Sequence, residues 1–117
     1  MSESTEQQAL LQWAEIYTNR FPELSLLHAI PNGGQRHIST AVRLKKEGVK
    51  AGVPDIFFPV SRWTFHGLYI EMKDRKSGTT SDTQKDWIKK LSNEGYAVHI
   101  CHGWEAARDT ILWYLNK

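Results

Sequence analysis

Apolar residues near the start of the chain recur at helical intervals, at Leu10, Trp13, Ile16 and Tyr17, which predicts a first helix over about residues 4–20 capped by Ser4 or Thr5. A short apolar run at 26–30 then meets Pro31-Asn32-Gly33-Gly34, the pattern of a strand entering a loop where the backbone approaches something closely. Residues 39–47 carry a helical pattern that Gly48 ends. Two apolar runs, 55–60 and 66–73, flank a turn at Trp63 and predict a hairpin. Ser81 opens a further helix that reaches Glu94 and is closed by Gly95; residues 96–101 read as a strand, and 104–115 as a last amphipathic helix. With no linker, repeat or low-complexity stretch, the order helix, strand, helix, hairpin, helix, strand, helix predicts a single α/β domain over residues 1–117, with helices on the faces of one mixed sheet. The strand at 96–101 follows a helix, which favours parallel pairing with an earlier strand.

Bulk composition adds limits rather than identity. With 117 residues, 40% hydrophobic and 24% charged, the chain suits one modest core and argues against disorder. The net charge of +2 is unremarkable, but its distribution is not. Residues 1–34 hold four acids and one base, whereas 35–50 hold Arg36, Arg43, Lys45, Lys46 and Lys50 against Glu47 alone, a segment that attracts polyanions. The single cysteine, Cys101, has no intrachain partner, which fits a reducing compartment, cytoplasmic or, in a nucleated host, nuclear. There is no signal-like leader and no apolar run near the roughly 18 residues of a membrane span.

The chemistry concentrates in two stretches, Gly52-Val53-Pro54-Asp55-Ile56 and Tyr69-Ile70-Glu71-Met72-Lys73. A hairpin folded about Trp63 sets Asp55 opposite Glu71 and Phe57 opposite Tyr69. Opposed residues have Cβ atoms roughly 4.5–5.5 Å apart, and residues two apart share a face, so Asp55, Glu71 and Lys73 point the same way. Two acids that close repel. A hard cation, Mg²⁺ or Mn²⁺, relieves that repulsion and keeps charge for a phosphate and a water. Taken singly, Asp55 also suits a turn after Pro54, and Glu71 with Lys73 a solvated strand end. Ser81-x-x-Gln84 is a capping box as it stands.

These stretches belong to a longer series: Ile30-Pro31-Asn32-Gly33-Gly34, then Gly48-Val49-Lys50-Ala51-Gly52-Val53-Pro54-Asp55, then Gly67-Leu68-Tyr69-Ile70-Glu71-Met72-Lys73, then Ser81-x-x-Gln84 with Trp87 behind it. In that order, over nearly the whole chain, they resemble the VRR-NUC (virus-type replication-repair) branch of the PD-(D/E)XK nucleases. The resemblance implies an αβββαβ core and a divalent-metal-dependent DNA endonuclease. On this reading Asp55, Glu71, a first-helix glutamate matched by Glu6 and the backbone carbonyl of Met72 hold Mg²⁺ or Mn²⁺. Lys73 positions the attacking water, and Gln84 lies at the active site, where it holds a water or a phosphate oxygen. Glu6 also suits the helix dipole of a first turn, and Glu15 is an alternative for its role. Asn32, Gly33, Gly34 and Arg36 are expected to meet the phosphodiester backbone, with Arg43, Lys45 and Lys46 of the next helix beside them. The shortness of the chain resembles stand-alone viral members, which implies a phage or prophage source, a branched DNA substrate such as a four-way junction or flap, and a homodimer. The rival reading is a nucleic-acid-binding module with a structural metal or none; Lys73 speaks against it, because a structural cation gains nothing from a neighbouring cation.

His99, Cys101 and His102 alternate faces of one strand and lack a complementary ligand set, so they do not read as a metal site. Trp13, Trp87, Trp104 and Trp113 read as packing residues by their helical spacing. Trp63, at a hairpin tip, has three open readings: a base stack, a subunit contact, or neither.

Overall fold

The computed structural model describes residues 1–31 and 37–117. Helix α1 (Glu3–Tyr17) starts one residue ahead of the expected span because Ser2, not Ser4 or Thr5, is its cap: Ser2 Oγ accepts the Thr5 N–H at 3.2 Å. Its buried positions, Glu6, Leu10, Trp13 and Ala14, repeat every three or four residues and form one stripe. The strand expected at 26–30 is only β1 (His28–Ala29), since Pro22 fixes the preceding segment as a 3-10 helix, Pro22–Leu26. Helix α2 (Ile38–Lys46) buries no residue. The hairpin strands are β2 (Ile56–Phe58) and β3 (Leu68–Lys73). They are shorter than predicted because Pro59 has no N–H to continue the ladder. Helix α3 (Asp82–Asn93), strand β4 (Ala97–His102) and helix α4 (Trp104–Tyr114) complete the chain.

Among the described residues the sheet has the order β1-β2-β3-β4, antiparallel except for the parallel β3–β4 pair. This is a mixed α/β architecture with helices against the sheet, and the α3 crossover explains the parallel pair, which a tight turn cannot join. The hairpin register pairs Ile56 with Ile70 and Phe57 with Tyr69, so continuing it sets Asp55 level with Glu71, as the alternation of the sequence requires.

Side-chain parity then divides the sheet into two faces. Ile56, Phe58, Leu68, Ile70 and Met72 are fully buried beneath Leu10, Trp13, Ala107, Ile111 and Tyr114 of α1 and α4. Each such side chain contributes about 1.5–3 kcal/mol of transfer free energy. The opposite parity of β3, Tyr69, Glu71 and Lys73, faces α3. Trp113 does not pack as its spacing predicts. It is 48% exposed and stacks on Trp63, itself 61% exposed, with centroids 6.4 Å apart. The apolar stripe of α4 is narrow, and Trp113 lies just outside it.

Candidate functional site

Strand β3 carries Glu71 and Lys73 onto one face, and the segment entering β2 carries Asp55 to their side. Asp55 Oδ2 accepts the backbone N–H of Met72 at 2.8 Å, which ties the two strands together next to Glu71. Two residues further along, Phe57 and Tyr69 stack with centroids 4.3 Å apart and fix the same register from below. The loop over residues 48–54 delivers Asp55 by packing tightly on α3. Gly52 has φ +91, and a Cβ there would come within 2.5 Å of the Thr83 side chain, so only glycine fits both conformation and space.

The carboxylate of Glu71 and the amine of Lys73 are nearly closed from solvent, with residue exposures of 2% and 5%. Gln84 joins them. Its Nε2 donates to Glu71 Oε2 at 2.7 Å, while its Oε1 accepts Lys73 Nζ at 3.2 Å and the Ser81 N–H at 2.9 Å. Ser81 Oγ in turn accepts the Gln84 N–H. The capping box and the site contact are therefore one structure: the cap fixes the first turn of α3, and the amide so fixed bridges the acid and the lysine. Lys73 Nζ lies 3.6 Å from Glu71 Oε2, and its aliphatic stem runs against Gly78, whose missing side chain leaves room for it.

Glu71 Oε1 alone is left over. Among the described residues it is the buried side-chain polar atom with no hydrogen-bond partner, and an unpaired buried carboxylate oxygen is costly. Burial, reinforced by the charges of Asp55 and Glu3 and opposed by Lys73, pushes the Glu71 carboxyl from 4.5 up to about 7. No three His, Cys, Asp or Glu side chains among the described residues gather into a cage for a metal. The pair nevertheless fits Mg²⁺ or Mn²⁺, which are bound through one or two carboxylates with water and phosphate completing the shell. A buried carboxylate oxygen without a hydrogen-bond partner, with the charge of a second acid acting on it, is the kind of donor such a cation uses. The side chain of Met72 is in the core, leaving its backbone as the part that faces this chemistry.

Glu6 was expected beside the metal, and the structure gives it other partners. It is fully buried, with Oε2 on Arg75 Nε at 3.0 Å and Oε1 on the Trp104 N–H at 3.1 Å. The cap residue of α4, Gly103, offers no side chain, so Glu6 supplies the acceptor and the negative charge that the start of α4 needs. Arg75 also pairs with Glu105, joining α1, the segment after β3 and α4. The signal was in the sequence: Glu6 lies four residues before Leu10 and so on the buried stripe. The acid of α1 whose charge reaches Glu71 is Glu3, one turn earlier, which sequence reasoning passed over. Glu15 is exposed and lies about 18 Å along the helix axis from Glu3. Glu6→Ala is expected to cost about 2–3 kcal/mol of unfolding free energy, by stranding a helix N–H and an arginine. Denaturant melts check this, and a loss below about 0.5 kcal/mol would remove Glu6 from the framework.

The basic segment is only partly in view. Asn32, Gly33, Gly34 and Arg36 lie outside the described residues. Arg43 pairs with Glu47 at 3.1 Å, while Lys45 and Lys46 are exposed on the same helix. The three strand residues set aside as metal ligands have separate surroundings: His99 lies against Trp113, His102 Nδ1 contacts the carbonyl of Asp74, and Cys101 is buried against Thr110.

Comparison with known proteins follows the same lines. The model of the VRR-NUC domain matches residues 1–105. A solved structure described as a VRR_NUC domain protein superposes with a TM-score of 0.83 at 28% identity, covering 99% of this chain and 89% of that one. No curated protein matches the chain.

Proposed function

We propose, for a chain that belongs to the VRR-NUC family and so to a family of nuclease domains, that it is a divalent-metal-dependent DNA endonuclease acting on branched DNA, with residues 1–117 as its single catalytic domain. The observation that carries this reading is the buried, unpartnered Oε1 of Glu71 next to Asp55. Asp55 and Glu71 would hold Mg²⁺ or Mn²⁺ with the carbonyl of Met72, and Glu3 is the first-helix acid whose charge acts on Glu71. A cation so bound supplies positive charge to the scissile phosphate and acidifies a water. Lys73 Nζ is the donor that orients the attacking oxygen and offsets charge growing on the phosphate. Gln84 holds Glu71 and Lys73 in one geometry and leaves Glu71 Oε1 without a hydrogen bond, so that it would be available to hold the cation. Glu6 belongs to the framework rather than to the ligand set.

The direct test is digestion of labelled four-way, flap, splayed, single-stranded and linear DNA with Mg²⁺, Mn²⁺ or EDTA. Cleavage of a branched form with either cation and none in EDTA is the expected result. Equal binding in all three conditions without any cut would leave a binding module.

Phosphate contact by the basic segment makes a separate expectation. Replacing Arg36, Arg43, Lys45 or Lys46 by alanine should weaken binding alike on different sequences and flatten the log–log salt dependence by about one unit on duplex DNA. Unchanged slopes in all four variants would make α2 a solvated face.

A homodimer is part of the same proposal, since cutting both sides of a four-way junction needs two sites. The exposed Trp63–Trp113 stack and the edge strand β4, where Ile100 is 40% exposed, supply the apolar surface a twofold partner would cover. Light scattering should give about twice 13.5 kDa, falling to one chain mass in Trp63→Lys. A wild-type monomer with and without DNA would point to a flap or single-strand nuclease.

A further inference from the structure

On the far side of the sheet from Glu71, helices α1 and α4 leave a groove between them of about 750 Å³. Its walls are Trp13, Tyr17, Trp104 and Leu112, and Arg20 and Arg108 stand at its rim. Both guanidinium groups lie over aromatic rings, Arg20 at 5.3 Å from the Phe21 centroid and Arg108 at 5.1 Å from that of Trp104. Arg108 has Asp109 as an exposed ion-pair partner, whereas Arg20 forms no ion pair among the described residues. Lys117 adds a third cationic side chain, and among the described residues no Asp or Glu lines the groove. Ile16, on the same wall, is 68% exposed. Large apolar side chains in a concave, cation-rimmed surface are unusual for a face with nothing to bind.

The shape names the occupant. The α1 wall runs from Ala9 to Tyr17 and the α4 wall from Trp104 to Leu112, eight residue steps each, or about 12 Å of helix. Trp104, Arg108 and Leu112 form one row at intervals of four. Two such ridges with a trough between them accept a third helix of two to three turns. Its apolar stripe would meet the aromatic walls, and acids beside that stripe would meet Arg20 and Arg108. A nucleic-acid backbone would instead seek a broad row of cations, which α2 presents and this groove does not.

We propose that the α1–α4 groove is a docking site for an acidic amphipathic helix of a partner protein, separate from the nuclease site and on the opposite face of the sheet. The probe is a fluorescein-labelled peptide of about fourteen residues, the length at which an isolated helix becomes marginally populated, with leucine at i, i+3, i+4 and i+7, glutamate beside that stripe and alanine elsewhere. A scrambled peptide of the same composition is the control. Saturable binding to the full chain, followed by anisotropy, is expected for the patterned peptide only. Ile16→Asp and Arg108→Glu should each weaken it by about tenfold or more, with circular dichroism and DNA cleavage unchanged. The proposal is overturned by equal binding of the scrambled peptide, or by absence of saturation in wild type. Displacement of the peptide by single-stranded DNA would overturn it in favour of a nucleic-acid surface. A wild-type dimer that Ile16→Asp converts to monomer would assign the groove to a second copy of this chain.

Discussion

Glu71→Gln is expected to abolish DNA cleavage in a chain that still folds. The substitution keeps the volume of a nearly closed side chain, and an amide oxygen at the same place still accepts the Gln84 Nε2 hydrogen bond. What is lost is the charge and the free oxygen that would bind the cation. Asp55→Asn should behave alike, since an amide oxygen can also take the Met72 N–H. Loss of about a thousandfold or more in rate is expected, roughly 4 kcal/mol of barrier. Single-turnover cleavage with Mn²⁺, alongside a circular dichroism melt, measures it. Either variant cutting within a tenth of the wild-type rate while folded would show that the chemistry is elsewhere.

Metal and pH act on the same carboxyl, and their coupling gives the second large effect. A ligand that binds only the native state adds RT ln(1 + [L]/Kd), about 2.7 kcal/mol at a hundredfold excess, or about 10 °C in melting temperature for a chain of this size. The Glu71 carboxyl, pushed by burial up to about 7, must ionise before it can ligate. The Mn²⁺-induced shift should therefore be small at pH 6, large at pH 8, and missing from Glu71→Gln at both. Without metal the sign reverses. The fold favours protonated Glu71, so the stability it contributes is complete below the ordinary glutamate range near 4.5 and is lost as pH rises through about 7. Metal-free wild type should lose stability across that window relative to Glu71→Gln. Equal Mn²⁺ shifts in both proteins would place the metal away from Glu71.

Much of this architecture was legible because period and register are properties of the chain. The alternation in Tyr69-Ile70-Glu71-Met72-Lys73 assigned Ile70 and Met72 to the core and Glu71 and Lys73 to the other face, and counting from Trp63 gave the Phe57–Tyr69 pairing that the sheet has. Helix ends were legible where a residue type enforces them: Ser81 begins α3, and Gly48 and Gly95 follow α2 and α3. Ends set by a less local group were not legible. Ser2, two to three residues ahead of Ser4 and Thr5, is the cap, and Pro22 shortened the first strand to two residues.

Sequence by itself determined the sheet faces, the order of elements and the juxtaposition of Asp55, Glu71 and Lys73, because a strand's two-residue period and a hairpin's register leave little freedom. Tertiary structure decided which first-helix acid is tied into the framework. Glu3 and Glu6 are both first-turn acids of one helix, and nothing local separates their chemistry. The difference comes from partners 69 and 98 residues away, Arg75 and the Trp104 N–H, which tie Glu6 to α4 and the segment after β3, while the charge of Glu3 acts on Glu71. The same holds for Gln84, whose capping spacing was plain but whose bridge from Glu71 to Lys73 exists only because the α3 crossover lays its first turn against β3. Contacts between distant segments form when packing brings them together, and no local pattern encodes them.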